Sequence, residues 1–299
     1  MKTRHFLSID DLNKKEFIQV LKLAQHLKEN PYQPKRLTGN SMAMIFEKPS
    51  LRTRVSFEVA MTQLGGHAIY LAPTDIGLGI REPIKDVARV LSRMVDIIMA
   101  RTYKHETIKE LARFSEVPVI NALSDLEHPC QILADFLTIL EKKKRFNRLK
   151  LAFVGDGNNN VTHSLALASA KLKIDFKVAS PKGYWMRSEI SRKTETLETT
   201  DPKEAVKGCD VVYTDTWISM GSEKEKKERL KVFRNYQVTK LLMKLAKRDA
   251  IFMHDMPAYR GSEVVEGVID GSRSVVIDQA ENRLHAQKAL ICFLLNRPL

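Results

Sequence analysis

The sequence predicts an α/β protein with two doubly wound parallel-sheet domains that are joined by a bridging helix. Short apolar, β-branched runs alternate with segments whose apolar residues recur at helical spacing, and this alternation occurs twice along the chain. Such alternation is typical of parallel sheets that carry helices on both faces. The length of 299 residues also fits two domains of ordinary size.

The first series of elements occupies the N-terminal half of the chain. It begins with the apolar run MAMIF, and the later strands are equally short and apolar. Strands are predicted over residues 42–46, 67–71, 96–100 and 117–122. Helices are predicted, from their apolar spacing, over residues 53–64, 83–94 and 106–114.

A long helix over residues 129–143 is predicted to bridge the first series to the second. Its apolar stripe repeats at helical spacing, and a proline occupies its first position, where the missing N–H is harmless. In the second series, strands are predicted over residues 149–154, 176–179, 211–214 and 251–253. Helices are predicted over residues 161–172, 204–207, 235–247 and 282–295.

Composition excludes several classes of protein. The formal net charge is +13, but the lysines concentrate in short helical faces such as residues 142–145 and 224–229, without the aromatic residues or zinc-ligand spacing of nucleic-acid binders. No apolar run reaches the ~18 residues that cross a membrane, and the first residues lack the apolar stretch of a secretory signal. Three scattered cysteines fit neither a disulfide framework nor a zinc cluster. We therefore expect a cytoplasmic protein that binds no nucleic acid and no membrane.

The segment SLRTR follows the first strand and is the most informative five residues of the chain. Ser50 is the predicted N-cap of the helix that begins there, and Leu51, Arg52 and Thr53 follow it. A helix start offers free N–H groups and a positive partial charge, which together favour an anion. Two arginines and two hydroxyls within one turn add donors that suit phosphate oxygens. A Ser-capped surface helix with solvated arginines is the alternative for this fragment alone.

Further polar residues stand where strands of the first series end, the edge at which open α/β sheets bind ligands. Arg101 directly follows the run DIIMA. His128 is the predicted N-cap of the bridging helix, and Gln131 lies one turn later on nearly the same face. Each of these residues has an ordinary structural explanation, because arginines are common at exposed strand ends and His and Gln occur in caps.

The segment GDGNNN, residues 155–160, half-matches a dinucleotide-binding fingerprint. Asn160 stands where the third glycine belongs, and the next strand ends in Ser180 instead of an acid for a ribose hydroxyl. An NAD-dependent dehydrogenase is therefore disfavoured. Asn159 and Asn160 at a helix start are better donors for a small polar ligand.

Two strand ends of the second series and the last helix complete the candidates. Asp215 opens the segment DTWISMG, which includes Ser219 and Met220 and suits an amino-acid headgroup, although an ordinary turn would look similar. The segment HDMP follows the fourth strand, and Arg283 is predicted near the start of the last helix.

The motifs SLRTRVSFE, HPCQ, DTWISMG, MHDMPAYRG and AENRLHAQKA occur in this order, and together they resemble those of the ornithine carbamoyltransferases. The resemblance covers essentially the whole chain. It implies a carbamoyl phosphate domain over residues 1–145, an ornithine domain over residues 146–280, and a C-terminal helix, 281–299, that returns to the first domain. It also implies a homo-oligomer, a trimer or a multiple of one, with no cofactor and no metal.

The resemblance further implies a role for each candidate residue. Carbamoyl phosphate would be bound by Ser50, the Leu51 amide, Arg52, Thr53, Arg101, His128, Gln131, Arg283 and the main-chain carbonyls of Asp255 and Met256. L-Ornithine would be bound by Asn159 or Asn160, Asp215, Ser219 and Met220. Catalysis would involve Arg101, His128, Asp215 and Asp255.

Some positions depart from the family pattern. Asp255 stands where the family usually has the cysteine of HCLP, and Gly77 where it often has a glutamine that the neighbouring subunit lends, a contact that Arg81 could replace. Leu51 replaces a threonine, and the segment 183–200 is shorter than usual. Two alternatives stay open: a sister carbamoyltransferase that uses putrescine or N-acetylornithine, and a catalytically impaired homologue that only binds.

Overall fold

A computed structural model of the protein describes residues 3–30, 35–218 and 225–297. The chain forms two compact units, each with its own parallel sheet. The first unit comprises Met1–Leu137 and Glu281–Leu299, and the second comprises Thr138–Ala280. No helix within the described ranges combines the length and the apolar character needed to cross a membrane.

The first unit opens with a helix that the sequence patterns above did not predict, α1 (Lys14–Glu29). Asn13 and Glu16 form a capping box, since each side chain accepts the other residue's backbone N–H. The following elements are β1 (Ser41–Phe46), α2 (Leu51–Gln63), β2 (His67–Leu71), α3 (Pro73–Ile76), α4 (Ile84–Ser92), β3 (Ile97–Arg101), α5 (His105–Phe114), β4 (Val119–Leu123) and α6 (Pro129–Lys143).

The first sheet has the strand order β2-β1-β3-β4, and all of its pairings are parallel. The inner strand β3 is buried along its whole length, and β1 is buried from its second residue, whereas the edge strand β2 is partly exposed. Strands that are covered on both faces read as continuous apolar runs, and this explains why MAMIF was recognisable.

The second unit continues with β5 (Lys150–Val154), α7 (Asn160–Leu172), β6 (Asp175–Ala179), α8 (Ser188–Thr194), β7 (Leu197–Thr199), α9 (Pro202–Val206), β8 (Val211–Tyr213), α10 (Lys226–Val232), α11 (Lys240–Met243), β9 (Ile251–Met253), α12 (Glu266–Ile269) and α13 (Val276–Leu294). Its sheet has the order β7-β6-β5-β8-β9, again entirely parallel. The predicted fold class, with two doubly wound parallel sheets, is therefore confirmed.

The unit boundaries fall inside two helices. Leu137 and Thr138 are consecutive residues of α6, and Ala280 and Glu281 are consecutive residues of α13. The predicted bridging helix and the predicted return of the C-terminal helix to the first unit are both present.

Two helix predictions were wrong. Residues 235–247 do not form one helix, because Val238 is extended and pairs with Val264, and Thr239 then caps the short α11. The last helix begins at Val276, six residues before the predicted start, so Arg283 lies two turns inside the helix and not at its start. The segment predicted to be short, 183–200, contains α8 and β7, neither of which was predicted.

Candidate active site

The carboxyl ends of β1 and β3 bring the first polar cluster together. Phe46, the last residue of β1, is paired with Arg101, the last residue of β3. The chain after β1 then reaches α2 within four residues. A parallel register therefore places the SLRTR segment beside Arg101, as the strand-end rule predicts.

Ser50 is the N-cap of α2, as predicted. Its hydroxyl oxygen accepts the backbone N–H of Thr53 at 3.3 Å, and its own backbone is extended. Leu51, whose side chain is exposed, and the half-buried Arg52 form the first turn of the helix. Backbone N–H groups of this turn lack helical partners, so they are available to an anion.

Two arginines converge on the buried hydroxyl of Thr53. Arg283 donates to Thr53 Oγ1 at 2.8 Å and Arg101 donates to the same atom at 3.5 Å. Both arginine side chains are buried, and Thr53 is fully buried. Guanidinium groups that are held in this way keep their forks oriented, which suits bidentate contact with a phosphate.

His128 occupies the cap position of α6. Its carbonyl oxygen accepts the backbone N–H of Gln131 at 3.1 Å and of Ile132 at 3.3 Å, and the helix begins at the next residue. Burial and the positive charges of Arg283, Arg101 and Lys48 hold the pKa of His128 well below its usual range. The imidazole is therefore neutral at pH 7 and can donate one N–H to a ligand oxygen.

Gln131 lies one turn into α6. Its side-chain nitrogen donates to Asp135 Oδ1 at 2.8 Å, while its side-chain oxygen is buried with no hydrogen-bond partner among the described residues. A buried amide oxygen without a partner suits a ligand that brings an N–H.

Lys48 is a member of this cluster that the sequence patterns did not single out. Its side chain is buried, and its Nζ lies 5.0 Å from the ring centroid of Tyr103. Burial and the nearby Arg101 lower the pKa of Lys48 to about 8. Lys48 directly precedes Pro49 at the start of the SLRTR loop, and this position is the only feature of the sequence that could have identified it as a site residue.

The loop that contains Gly77 lies in the first unit. Gly77 ends α3 with a left-handed φ of +50°, and a Cβ placed there would lie 2.8 Å from the Cβ of Arg81. The exposed guanidinium of Arg81 donates to the backbone oxygen of Asp75 at 3.4 Å. The suggestion that Arg81 replaces a glutamine of the neighbouring subunit stays a prediction.

In the second unit, Asn159 caps α7 and Asn160 is its first residue. Asn159 Oδ1 accepts the backbone N–H of Thr162 at 2.7 Å, and its amide nitrogen lies 3.4 Å from Asp215 Oδ2. Asn159 is buried, whereas Asn160 is only half-buried. The cap therefore links the end of β5 to the end of β8.

Asp215 and Asp255 lie side by side because of strand register. Tyr213 in β8 is paired with Met253 in β9, and each aspartate follows two residues beyond its strand's paired residue. A carboxyl oxygen of each aspartate lies within 4.8 Å of the other, and Asp215 Oδ1 accepts the Thr216 N–H at 2.6 Å. Burial, followed by the charge of Asp255, raises the pKa of Asp215 well above its usual range.

His254 and Glu263 surround this acid pair, and the candidate residues had not included either. His254 Nδ1 accepts the Met256 N–H at 2.9 Å, so its Nε2 carries the proton and faces Glu263 Oε1 at 3.2 Å. Glu263 Oε1 also accepts the Tyr259 N–H at 2.5 Å. Both His254 and Glu263 are buried.

The same cluster is a poor metal site. Ligand atoms of Asp215, His254 and Asp255 lie within 4.8 Å of one another. However, Met256 already donates to the His254 nitrogen that would have to bind the ion. Carboxyl oxygens that face one another are better suited to a cationic amine.

A buried ion pair, also absent from the predicted set, supports the start of α7. The Arg229 guanidinium binds the Asp156 carboxylate, and its Nε donates to the Trp217 carbonyl at 2.5 Å. The rings of Tyr184 and Phe233 lie 5.0 and 5.3 Å from the guanidinium carbon. Ser219 and Met220, which were predicted to bind ligand, lie outside the described residues.

Comparison with known proteins identifies the family. A family model described as "Aspartate/ornithine carbamoyltransferase, carbamoyl-P binding domain" matches residues 4–141, and a second, "Aspartate/ornithine carbamoyltransferase, Asp/Orn binding domain", matches residues 147–294. The ornithine carbamoyltransferase of Archaeoglobus fulgidus is 53% identical over 302 residues, which cover 98% of each chain.

Solved structures agree with these sequence matches. The ornithine carbamoyltransferase from Pyrococcus furiosus superposes with a TM-score of 0.94 at 49% identity, covering 98% of this chain and 97% of that chain. The anabolic ornithine carbamoyltransferase from Campylobacter jejuni superposes with a TM-score of 0.94 at 43% identity, covering 98% of this chain and 99% of that chain.

Proposed function

The chain belongs to the aspartate/ornithine carbamoyltransferase family, and from that premise we propose that it is an enzyme that transfers the carbamoyl group of carbamoyl phosphate to L-ornithine. The products are L-citrulline and phosphate. The observation that carries the proposal is the contrast between the two clusters. In the first cluster, buried arginines lie at the start of helix α2. In the second, the carboxyl groups of Asp215 and Asp255 lie together, and Asp255 Oδ1 has no hydrogen-bond partner among the described residues.

In this proposal the first unit binds carbamoyl phosphate. The phosphate is bound by the start of α2, through Ser50, the Leu51 amide, Arg52 and Thr53, together with Arg101 and Arg283. The geometry supports this assignment because both buried arginines already point at the Thr53 hydroxyl. Gln131 and the neutral His128 contact the carbamoyl group.

The chemistry follows from these positions. The neutral δ-amine attacks the carbamoyl carbon, and negative charge develops on the carbamoyl oxygen and then on the leaving phosphate. Fixed guanidinium groups and the His128 N–H stabilise that charge as it forms, without reorganisation of solvent. The removal of one such donor from an active site typically slows catalysis by about 10²–10³-fold.

The second unit binds the amine substrate, and its charges favour ornithine over aspartate. Asp215 and Asp255 attract the δ-ammonium group of ornithine, whereas the side-chain carboxylate of aspartate would be repelled by them. Asn159 or Asn160 and the segment with Ser219 and Met220 bind the amino-acid end. The main-chain carbonyls of Asp255 and Met256 take the carbamoyl NH₂.

The test is an assay of both products. Purified protein with carbamoyl phosphate and L-ornithine is expected to form citrulline and phosphate in a 1:1 ratio. Arg101→Met is expected to slow turnover about 10²-fold or more, whereas the matched variant Arg93→Met, an exposed arginine of the same unit, should keep wild-type turnover. Phosphate release without citrulline would contradict the proposal.

We also propose a homotrimer, a cytoplasmic location and a role in arginine biosynthesis. Exposed apolar side chains of the first unit support an oligomer, namely Leu51, Val55, Ile80 and Met94. The three cysteines are buried free thiols, which is compatible with a reducing compartment. Light scattering coupled to size exclusion tests the trimer, and growth of an arginine auxotroph that expresses the gene tests the pathway.

Asp255 is compatible with one alternative class of substrates, namely other amines. The acid pair recognises an amine, and putrescine and N-acetylornithine each carry one. These substrates differ from ornithine at the other end of the molecule. A catalytically impaired homologue is disfavoured because, among the described residues, Arg283 and Arg101 meet at the Thr53 hydroxyl and Asp215 lies beside Asp255.

A further inference from the structure

The turn that follows β9 is held by side chains and not by pairing with another strand. The backbone N–H of His254 donates to Gln279 Oε1 at 2.9 Å, and the backbone N–H of Met256 donates to His254 Nδ1 at 2.9 Å. Further along, the backbone N–H of Tyr259 donates to Glu263 Oε1 at 2.5 Å. Three N–H groups of this turn are therefore bound by buried side chains.

Two carbonyl groups of the same turn have no such partner. In the described part of the chain, neither the Asp255 nor the Met256 carbonyl oxygen accepts a hydrogen bond. A carbonyl group that no protein donor reaches suits a ligand that brings N–H groups. These are the two carbonyls to which the proposed function assigns the carbamoyl NH₂.

Met256 has a backbone conformation that needs support from its neighbours. Its φ of +59° lies in the left-handed region, which residues with long side chains seldom adopt. Such a conformation persists only where surrounding contacts hold it. The hydrogen bond from the Met256 N–H to His254 Nδ1 is a contact of this kind, so its loss would let the main chain relax and change the direction of both carbonyls.

The imidazole of His254 is itself fixed at both nitrogens. Because Nδ1 accepts the Met256 N–H, the ring proton is on Nε2, which faces Glu263 Oε1 at 3.2 Å. Asp255 Oδ1 lies 3.5 Å from Nδ1, but this nitrogen has no proton to donate while it accepts the Met256 N–H. Glu263 therefore sets the orientation of the ring, and the ring holds the turn.

We propose that His254 is a positioning residue: through Nδ1 it orients the carbonyls of Asp255 and Met256 toward the carbamoyl NH₂, and the site thereby selects a carbamoyl group over an acyl group without N–H. This inference rests on the proposed function, because it concerns the carbamoyl donor of that reaction. His254 touches no reacting atom in this assignment and acts only through the main chain.

Two variants of His254 separate the roles of its two nitrogens. His254→Asn keeps an acceptor, Oδ1, at the place of Nδ1 and loses the contact with Glu263. His254→Gln keeps a donor at the place of Nε2 and loses the acceptor for the Met256 N–H. Asp201→Ala is the control for stability, because Asp201 caps α9 by accepting the Lys203 N–H and takes no part in the turn.

The first readout is the binding of two stable analogues, measured by calorimetry. Phosphonoacetamide carries the NH₂ group, and phosphonoacetone has a methyl group in its place. The wild type should bind phosphonoacetamide about tenfold more tightly, because a methyl group leaves the carbonyls without a donor. His254→Gln should reduce this preference to about twofold or less, whereas His254→Asn and Asp201→Ala should keep most of it.

The second readout is kcat for citrulline formation from carbamoyl phosphate and L-ornithine. His254→Gln should lower kcat about 10²-fold, because a carbamoyl group that is held loosely seldom meets the amine in line. His254→Asn should lower kcat by about tenfold or less, since its Oδ1 still accepts the Met256 N–H. Urea unfolding of each variant checks that both substitutions have a similar effect on stability.

The outcomes separate the two proposals. A wild-type protein that makes no citrulline overturns the proposed function. Citrulline formation by a wild type that binds both analogues equally overturns only the role of the two carbonyls, and this result needs no variant to fold. Equal analogue preference and equal kcat in His254→Asn and His254→Gln would overturn the positioning role, because a purely structural histidine would not distinguish between its two nitrogens.

Discussion

Thr53→Val removes the hydroxyl on which two arginines converge and keeps the shape of the side chain. The bond from Arg283 at 2.8 Å is a full charge-assisted hydrogen bond, so its loss should cost about 1.5–3 kcal/mol. The bond from Arg101 at 3.5 Å is at the limit of hydrogen bonding and should contribute little. We therefore expect the free energy of unfolding to fall by about 2 kcal/mol.

The same variant should weaken carbamoyl phosphate binding selectively. Both arginines donate to the oxygen of the Thr53 hydroxyl. Its hydrogen is therefore available to donate to a phosphate oxygen. Loss of about 2 kcal/mol from that bond corresponds to a roughly 30-fold higher KM for carbamoyl phosphate.

Steady-state kinetics and urea unfolding measure both effects, with Thr62→Val, an exposed threonine of the same helix, as the matched control. The KM for ornithine should change much less than the KM for carbamoyl phosphate. Equal KM values for carbamoyl phosphate in Thr53→Val and Thr62→Val would refute the assignment of the phosphate site.

Three further predictions follow from buried charges and thiols. Because the pKa of Lys48 is about 8 and its charged form attracts phosphate, the KM for carbamoyl phosphate should rise above pH 8, and Lys48→Met should flatten this rise. Arg229→Met leaves the Asp156 carboxylate buried without its partner, so urea unfolding should show a loss of about 3–5 kcal/mol, and wild-type stability would contradict it. Iodoacetamide should leave native activity intact, because burial raises the pKa of Cys130 to about 12 and the other two thiols are also buried; rapid inactivation would contradict this.

The polar residues at the strand ends could be predicted from the sequence, because all strands of a parallel sheet end at the same edge. Buried parallel strands read as apolar runs, so the residues that follow each run could be assigned to one edge of a sheet. Arg101, Asp215 and Asp255 were found in this way. The register that pairs Tyr213 with Met253, which sets the two aspartates side by side, is visible only in the structure.

Other features depended on contacts between distant parts of the chain. Glu263 and the Arg229–Asp156 pair carry no local signal, because their partners are set by tertiary packing. Helical spacing at residues 235–247 was overridden by the pairing of Val238 with Val264. The helix α1 is different, since its capping box at Asn13 and Glu16 is a local signal that could have identified it.

Carbamoyl transfer to a panel of amines tests the proposed substrate most directly. L-Ornithine, putrescine, N-acetylornithine, L-lysine and L-aspartate are each incubated with carbamoyl phosphate, and kcat/KM is measured for every carbamoylated product. We expect L-ornithine to exceed each of the others by at least tenfold and L-aspartate to give no product. Equal or higher kcat/KM with another amine would contradict the assignment of ornithine as the substrate.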